Sequence, residues 1–266
     1  MSAVPQVATK RPTIEELRRV AQPDTVVGRA SGEHWAGRLY MRYLSIYCTR
    51  MLVNTWVSPD GLTWLMICFG IGAAVVMTVP HVWAAIAALV LIQLQGLVDC
   101  MDGELARWRQ RTGPVGIYLD RIGHYVTDGG LAIGVGVRAD GGLGSIDGWT
   151  TVGLAAGFLI LLSKAETDLV HVARVQSGRE RIADTADAAA SHQSMLRRLR
   201  SMAGALPFNR ALLAMEMTAL ALIAAIVDSA RGGLTATRVL DVSLLVIAVL
   251  AVVGHLLITV TSNRLR

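Results

Sequence analysis

Six stretches of this chain stay apolar for about 20 residues each, the length an α-helix needs to cross the roughly 30 Å hydrocarbon core of a bilayer. They cover about residues 63–79, 82–107, 115–137, 149–170, 210–227 and 239–261. A backbone inside lipid must satisfy its own N–H and C=O groups, which leaves helices or closed barrels. Long runs without strict alternation select helices. The expected fold is an all-α integral membrane protein with six transmembrane helices. The chain is 53% hydrophobic, against about 45–50% for a soluble domain. The second and third runs are the least apolar because they carry acidic residues.

The remaining segments fit this frame. Residues 1–33 are polar and lack the apolar core of a signal peptide, so they read as a partly ordered cytoplasmic tail. Residues 34–57 mix Trp, Tyr, Leu and Met with Arg38, Arg42 and Arg50, the pattern of an amphipathic helix lying in the membrane interface. Ser58-Pro59-Asp60 provides a turn and a helix cap. Residues 58–262 form the expected six-helix transmembrane domain, and 263–266 a cytoplasmic C-terminus. Lys and Arg crowd the N-terminal segment, the turn between the second and third runs, and the polar stretch 176–205. The opposite side has only Arg138, Arg231 and Arg238. The excess of basic residues marks the cytoplasmic side and places both termini there. The net charge of +5 flanks apolar runs, so it points to a membrane surface and not to nucleic acid. Cys48, Cys68 and Cys100 share no ligand or disulfide spacing.

Chemistry concentrates where the second run meets the third. The second ends Asp99-Cys-Met-Asp102-Gly103-Glu104-Leu-Ala106-Arg107. The third carries Gly116, Asp120, His124 and Asp128 at every fourth residue, one stripe on one helix. Asp99 and Asp102 share a face, as do Gly103 and Ala106. The short turn Thr112-Gly113-Pro114 makes the two helices antiparallel neighbours and brings Asp99, Asp102, Asp120 and His124 together. Carboxylates at membrane depth are costly and repel one another. A divalent cation resolves both problems, and oxygen ligands favour Mg²⁺ or Mn²⁺. Gly103 and Ala106 leave room for a nucleotide, and Arg107 offers phosphate a forked, permanently charged donor.

The run Asp99-x2-Asp102-Gly103-x2-Ala106-Arg107-x8-Gly116-x3-Asp120 resembles the signature of the CDP-alcohol phosphotransferases, and the resemblance covers about residues 34–262. It implies a membrane enzyme that moves a substituted phosphate from a CDP-alcohol, such as CDP-diacylglycerol, to an acceptor alcohol with release of CMP, in phospholipid or related lipid synthesis. It implies that Asp99, Asp102 and Asp120 hold metal, and that Gly103, Ala106 and Arg107 face the cytidine and diphosphate. Ser58-Pro59-Asp60-Gly-Leu-Thr63 resembles an element that lies beside the nucleotide, which adds Asp60 and Thr63. A homodimer among membrane lipids is implied as well.

One position departs from the family pattern. His124 stands where the family carries its fourth aspartate, a metal neighbour and proposed base. Histidine serves as a general base at neutral pH but is a poorer Mg²⁺ ligand than a carboxylate. The departure leaves open one metal or two, and an inactive family member. The expectation is that His124 acts as base and Asp128 orients it. Lys164, Asp168 and His171 share a face of the fourth run, and Arg210 opens the fifth; these form a weaker acceptor set. The alternative class is a six-helix transport or lipid-binding protein, which needs broken helices and a midplane site. Here the charges gather near one end.

Overall fold

The computed structural model describes residues 11–23, 36–179 and 207–261. Among these residues the regular structure is helical, and no strand occurs. A short α1 (Ile14–Ala21) is followed by a π-helical turn (Gly37–Met41) that runs into α2 (Arg42–Leu52). Six longer helices follow: α3 (Pro59–Met77), α4 (Val82–Trp108), α5 (Pro114–Ala139), α6 (Gly148–Gln176), α7 (Ala214–Arg231) and α8 (Thr235–Thr261). Four of them, α3, α4, α6 and α8, are long and apolar enough to cross a membrane. In α5 the residues Asp120, Arg121, Asp128 and Arg138 dilute the hydropathy, and in α7 Glu216, Asp228 and Arg231 do the same. Large apolar side chains face outward, among them Val75, Val90, Phe158 and Leu250. A water-facing surface would not carry them in such number, whereas lipid solvates them.

The boundaries follow local chemistry. Ser58 caps α3 by accepting the Gly61 N–H at 3.0 Å, with Pro59 in the first turn. Gly113 and Pro114 open α5 after the expected short turn. The fifth run was expected to begin as helix at residue 210. Instead Pro207–Leu212 forms a 3₁₀ turn, Leu213 is extended, and α7 starts at Ala214. The reason is tertiary, because the Ala214 N–H donates to Asp128 on α5 at 2.8 Å and fixes the start there. The tail expected at residues 1–33 contains α1, closed by a capping box between Thr13 and Glu16. From residue 180 to residue 205, the polar stretch between α6 and the 3₁₀ turn lies outside the described residues, as do residues 263–266.

Helices in lipid gain little from hydrophobic exclusion, so they associate where small residues let backbones approach. α5 does this on two sides. Toward α3 it presents Gly123, Gly130 and Gly134, and a Cβ on Gly134 would lie 2.6 Å from the Ala74 carbonyl. Toward α6 it presents Gly129 and Gly136 against Gly153 and Gly157. At the end of the bundle remote from Asp99, two aspartates cap the next helix. Asp140 accepts N–H groups from Asp147, Trp149 and Thr150 at the start of α6. Burial alone would raise its carboxyl, but the bonds from Thr150, Asp147 and Trp149 outweigh that and hold it below the usual carboxylate range. Asp228 does the same for Ala236 and Thr237 of α8.

The α5–α6 contact yields a stability prediction. A Cβ at Gly136 would meet the Trp149 carbonyl at 2.7 Å and the Gly153 Cα at 2.8 Å. Gly136→Leu is expected to cost at least about 1–3 kcal/mol from overpacking, read as a lower thermal unfolding midpoint in detergent. Gly144→Ala, which meets nothing within 4 Å, should leave the midpoint unchanged.

A polar cavity at one end of the bundle

α4 and α5 run antiparallel with their polar faces opposed. At the floor, the buried Gln95 amide donates to the Thr127 hydroxyl at 2.8 Å. Gly70 of α3 makes room for that pair, since a Cβ there would lie 1.9 Å from Thr127 Oγ1. One turn nearer the end, His124 Nε2 stands 3.5 Å from Asp99 Oδ1 and 3.4 Å from Asp120 Oδ1. Asp102 comes next and accepts the Thr63 hydroxyl at 2.7 Å. At the mouth, a Cβ on Gly116 would sit 3.6 Å from Asp60 Oδ1. Asp99 lies about 17 residues along α4 from Val82, roughly 26 Å at 1.5 Å per residue. The charged group therefore falls near the far edge of a roughly 30 Å hydrocarbon layer.

Asp60, Thr63, Gln95, Asp99, Asp102, Gly116, Asp120 and His124 line a cavity of about 1090 Å³. Asp99, Asp120 and His124 each place one ligand atom within 4.8 Å of the others. Two carboxylates and an imidazole at that separation fit a small divalent cation. Asp102 lines the same cavity beside this trio. Gly103 allows close approach, and a Cβ there would lie 3.0 Å from Arg107 Nη1. Arg107 folds against its own helix, and its Nη2 is buried without a hydrogen-bond partner among the described residues. Ala106, Asp60 and Thr63 complete the wall expected beside a nucleotide.

Asp128 stands apart from its expected place. The sequence reading had it orient His124, but its carboxylate pairs with Lys164 Nζ at 2.7 Å and accepts the Ala214 N–H. It sits one turn deeper on α5, where α6 and α7 converge on it. The acceptor set divides as well. Lys164, Asp168 and Arg210 line the cavity, whereas His171 does not. Asp168 is engaged by Arg121 and by the Tyr125 hydroxyl.

Sequence reasoning passed over Glu104. It is fully buried on α4 between Gly103 and Arg107. Its carboxylate receives the Ser45 hydroxyl at 2.5 Å, the Thr49 hydroxyl at 2.7 Å and the Gln22 amide at 2.7 Å. A charge inside a helix of apolar periodicity was the available signal, but its donors lie 55 to 82 residues away in sequence.

The family model for CDP-alcohol phosphatidyltransferase matches residues 56–262. The chain is 33% identical over 116 residues to a bifunctional IPC transferase and DIPP synthase of Thermococcus kodakarensis, across 44% of this chain and 25% of that protein. It is 41% identical over 73 residues to the inner membrane protein YnjF of Escherichia coli, across 27% of this chain and 34% of that one. The chain thus spans about a quarter and a third of these two relatives.

The Lys164–Asp128 pair gives a test. Both side chains are largely buried, and removing one partner of such a pair costs about 3–5 kcal/mol. Lys164→Met should lower the thermal midpoint markedly, and adding Asp128→Leu should restore part of it. A Lys164→Met variant as stable as wild type would contradict the pairing.

Proposed function

The chain belongs to the CDP-alcohol phosphatidyltransferase family, and from that premise we propose that it is a membrane transferase of a substituted phosphate. Its donor is a CDP-alcohol, with CDP-diacylglycerol the specific form, and its acceptor is an alcohol. Its place is phospholipid or related lipid synthesis. The observation that carries this reading is the grouping of Asp99, Asp120 and His124 in a cavity walled by the signature residues Asp102, Gly103, Ala106 and Arg107.

The residues divide the work. Gly103 and Ala106 admit the cytidine end, and Arg107 meets the diphosphate. Asp99, Asp102 and Asp120, with His124 beside them, would hold Mg²⁺ or Mn²⁺, which when bound supplies charge stabilisation to the diphosphate and to departing CMP. Thr63 orients Asp102 through its hydroxyl. His124 is the base. Asp99 and Asp120 hold its Nε2 and take over the orienting role first assigned to Asp128, which leaves Nδ1 for the acceptor hydroxyl. The acceptor oxygen loses its proton to His124 and bonds to the phosphorus distal to cytidine. The bond from that phosphorus to the CMP oxygen breaks, and CMP leaves.

The proposal extends to the membrane arrangement. All six long helices cross, with the cavity opening to the cytoplasm, the side on which the arginines concentrate. α2 lies in the interface. Tyr43, Tyr47 and Met51 are exposed on one face, and Ser45, Ile46 and Thr49 are buried on the other. By resemblance to the family, the enzyme works as a homodimer.

CMP release from CDP-alcohols, with product lipids identified by mass spectrometry, tests the reading. Asp99→Asn and Asp120→Asn should abolish release in folded protein. His124→Ala should lower turnover by about 10²–10⁴, the range for a positioned base, with CDP binding retained, and His124→Asp should keep partial activity. Undiminished wild-type turnover in excess chelator would sink the metal assignment. Wild-type turnover in His124→Ala would remove the histidine from the chemistry.

A further inference from the structure

We infer that α1 is a positioning element for Arg107, held in place by a buried hydrogen-bond network centred on Glu104; the inference rests on the nucleotide reading above. α1 and its partners on α2 lie outside residues 56–262, the span the family model matches.

α1 ends against the signature helix. The Ala21 carbonyl, in its last turn, accepts Arg107 Nε at 2.5 Å. Helix carbonyls at a C-terminus carry partial negative charge, which suits a guanidinium. Gln22, at the C-cap, donates through Nε2 to Glu104 Oε1 at 2.7 Å and to the Arg42 carbonyl at 2.8 Å. Ser45 and Thr49 hold the same carboxylate from α2. Leu17 and Ala21 are fully buried, and they cluster with Ile46 and Val53 of the α2 region. Arg50 Nε ties down the Pro12 carbonyl at 2.7 Å. The C-terminal end of α1 thus cannot leave α4 without unpairing buried groups of Glu104.

The consequence falls on Arg107. With Nε engaged by Ala21, the guanidinium is locked in one rotamer beside Gly103. Its buried Nη2 has no partner among the described residues, and the side chain lines the cavity. A buried, unpaired donor on a fixed cation is an arrangement completed by an incoming oxyanion. Fixing it beforehand removes the ordering cost that a free arginine would bring to binding. Gln22 and Glu104 are positioning residues, since neither reaches the reacting atoms.

The test uses the full chain in detergent and CDP as probe, with binding measured by calorimetry and Michaelis constants taken separately for donor and acceptor. Gln22→Glu sets a carboxylate against Glu104 and breaks the network. CDP affinity should fall about tenfold, the scale of a lost hydrogen bond to a charged group. The donor KM should rise in parallel, with acceptor KM nearly unchanged. Adding Glu104→Gln restores one amide–carboxylate bond and should return CDP affinity toward wild type. CDP affinity unchanged in Gln22→Glu, or donor and acceptor KM rising together without rescue by the exchange, would overturn the inference. Absence of CDP binding to wild type would instead overturn the nucleotide reading on which it rests.

Discussion

A carboxylate carried to the edge of a hydrocarbon layer must find a partner there, because water is no longer in reach to solvate it. That constraint orders the working end of this bundle. Glu104 is met by three donors, Asp102 by Thr63, and Asp128 by Lys164 and a backbone N–H. Asp99 and Asp120 are left facing one imidazole between them. Glu104 joins helices away from the cavity, whereas Asp99, Asp102, Asp120 and Asp128 all line it.

The helices that carry these groups are held by contacts that cost little in lipid. Glycines on two faces of α5 bring it close to α3 and α6. α4 packs against α3 as α5 does, so the two expected neighbours face each other across the cavity and meet at its floor through the Gln95–Thr127 bond. At the remote end, Asp140 and Asp228 each close a hairpin by capping the helix that follows. The α5–α6 and α7–α8 hairpins thus use one device twice. This remote end leaves the other end free to be built from polar side chains.

Much of this was legible in the sequence, and the limits have a physical cause. Spacing of four along residues 116–128 shows which residues share a face of α5. The short turn at Gly113 shows which helix that face meets first. The Asp99–Asp120–His124 grouping follows from those two facts. Asp128 lies on the same stripe, yet its partners come from α6 and α7, and no local pattern tells which distant helix will face a given turn. The start of α7 at Ala214 was hidden for the same reason. Glu104 occupies a free position of the signature, and its donors belong to α1 and α2. Periodicity assigns a residue to a face, but only tertiary packing assigns that face a neighbour.

The central proposal is that Asp99, Asp102 and Asp120, with His124 beside them, hold a divalent ion against the diphosphate of a cytidine nucleotide. Electron–nuclear double resonance on Mn²⁺ added to the purified chain with CDP addresses it most directly. The account predicts bound Mn²⁺ with phosphorus couplings from the CDP diphosphate, and loss of both in Asp120→Asn. Mn²⁺ that shows no phosphorus coupling, or that binds unchanged in Asp99→Asn and Asp120→Asn, would contradict it.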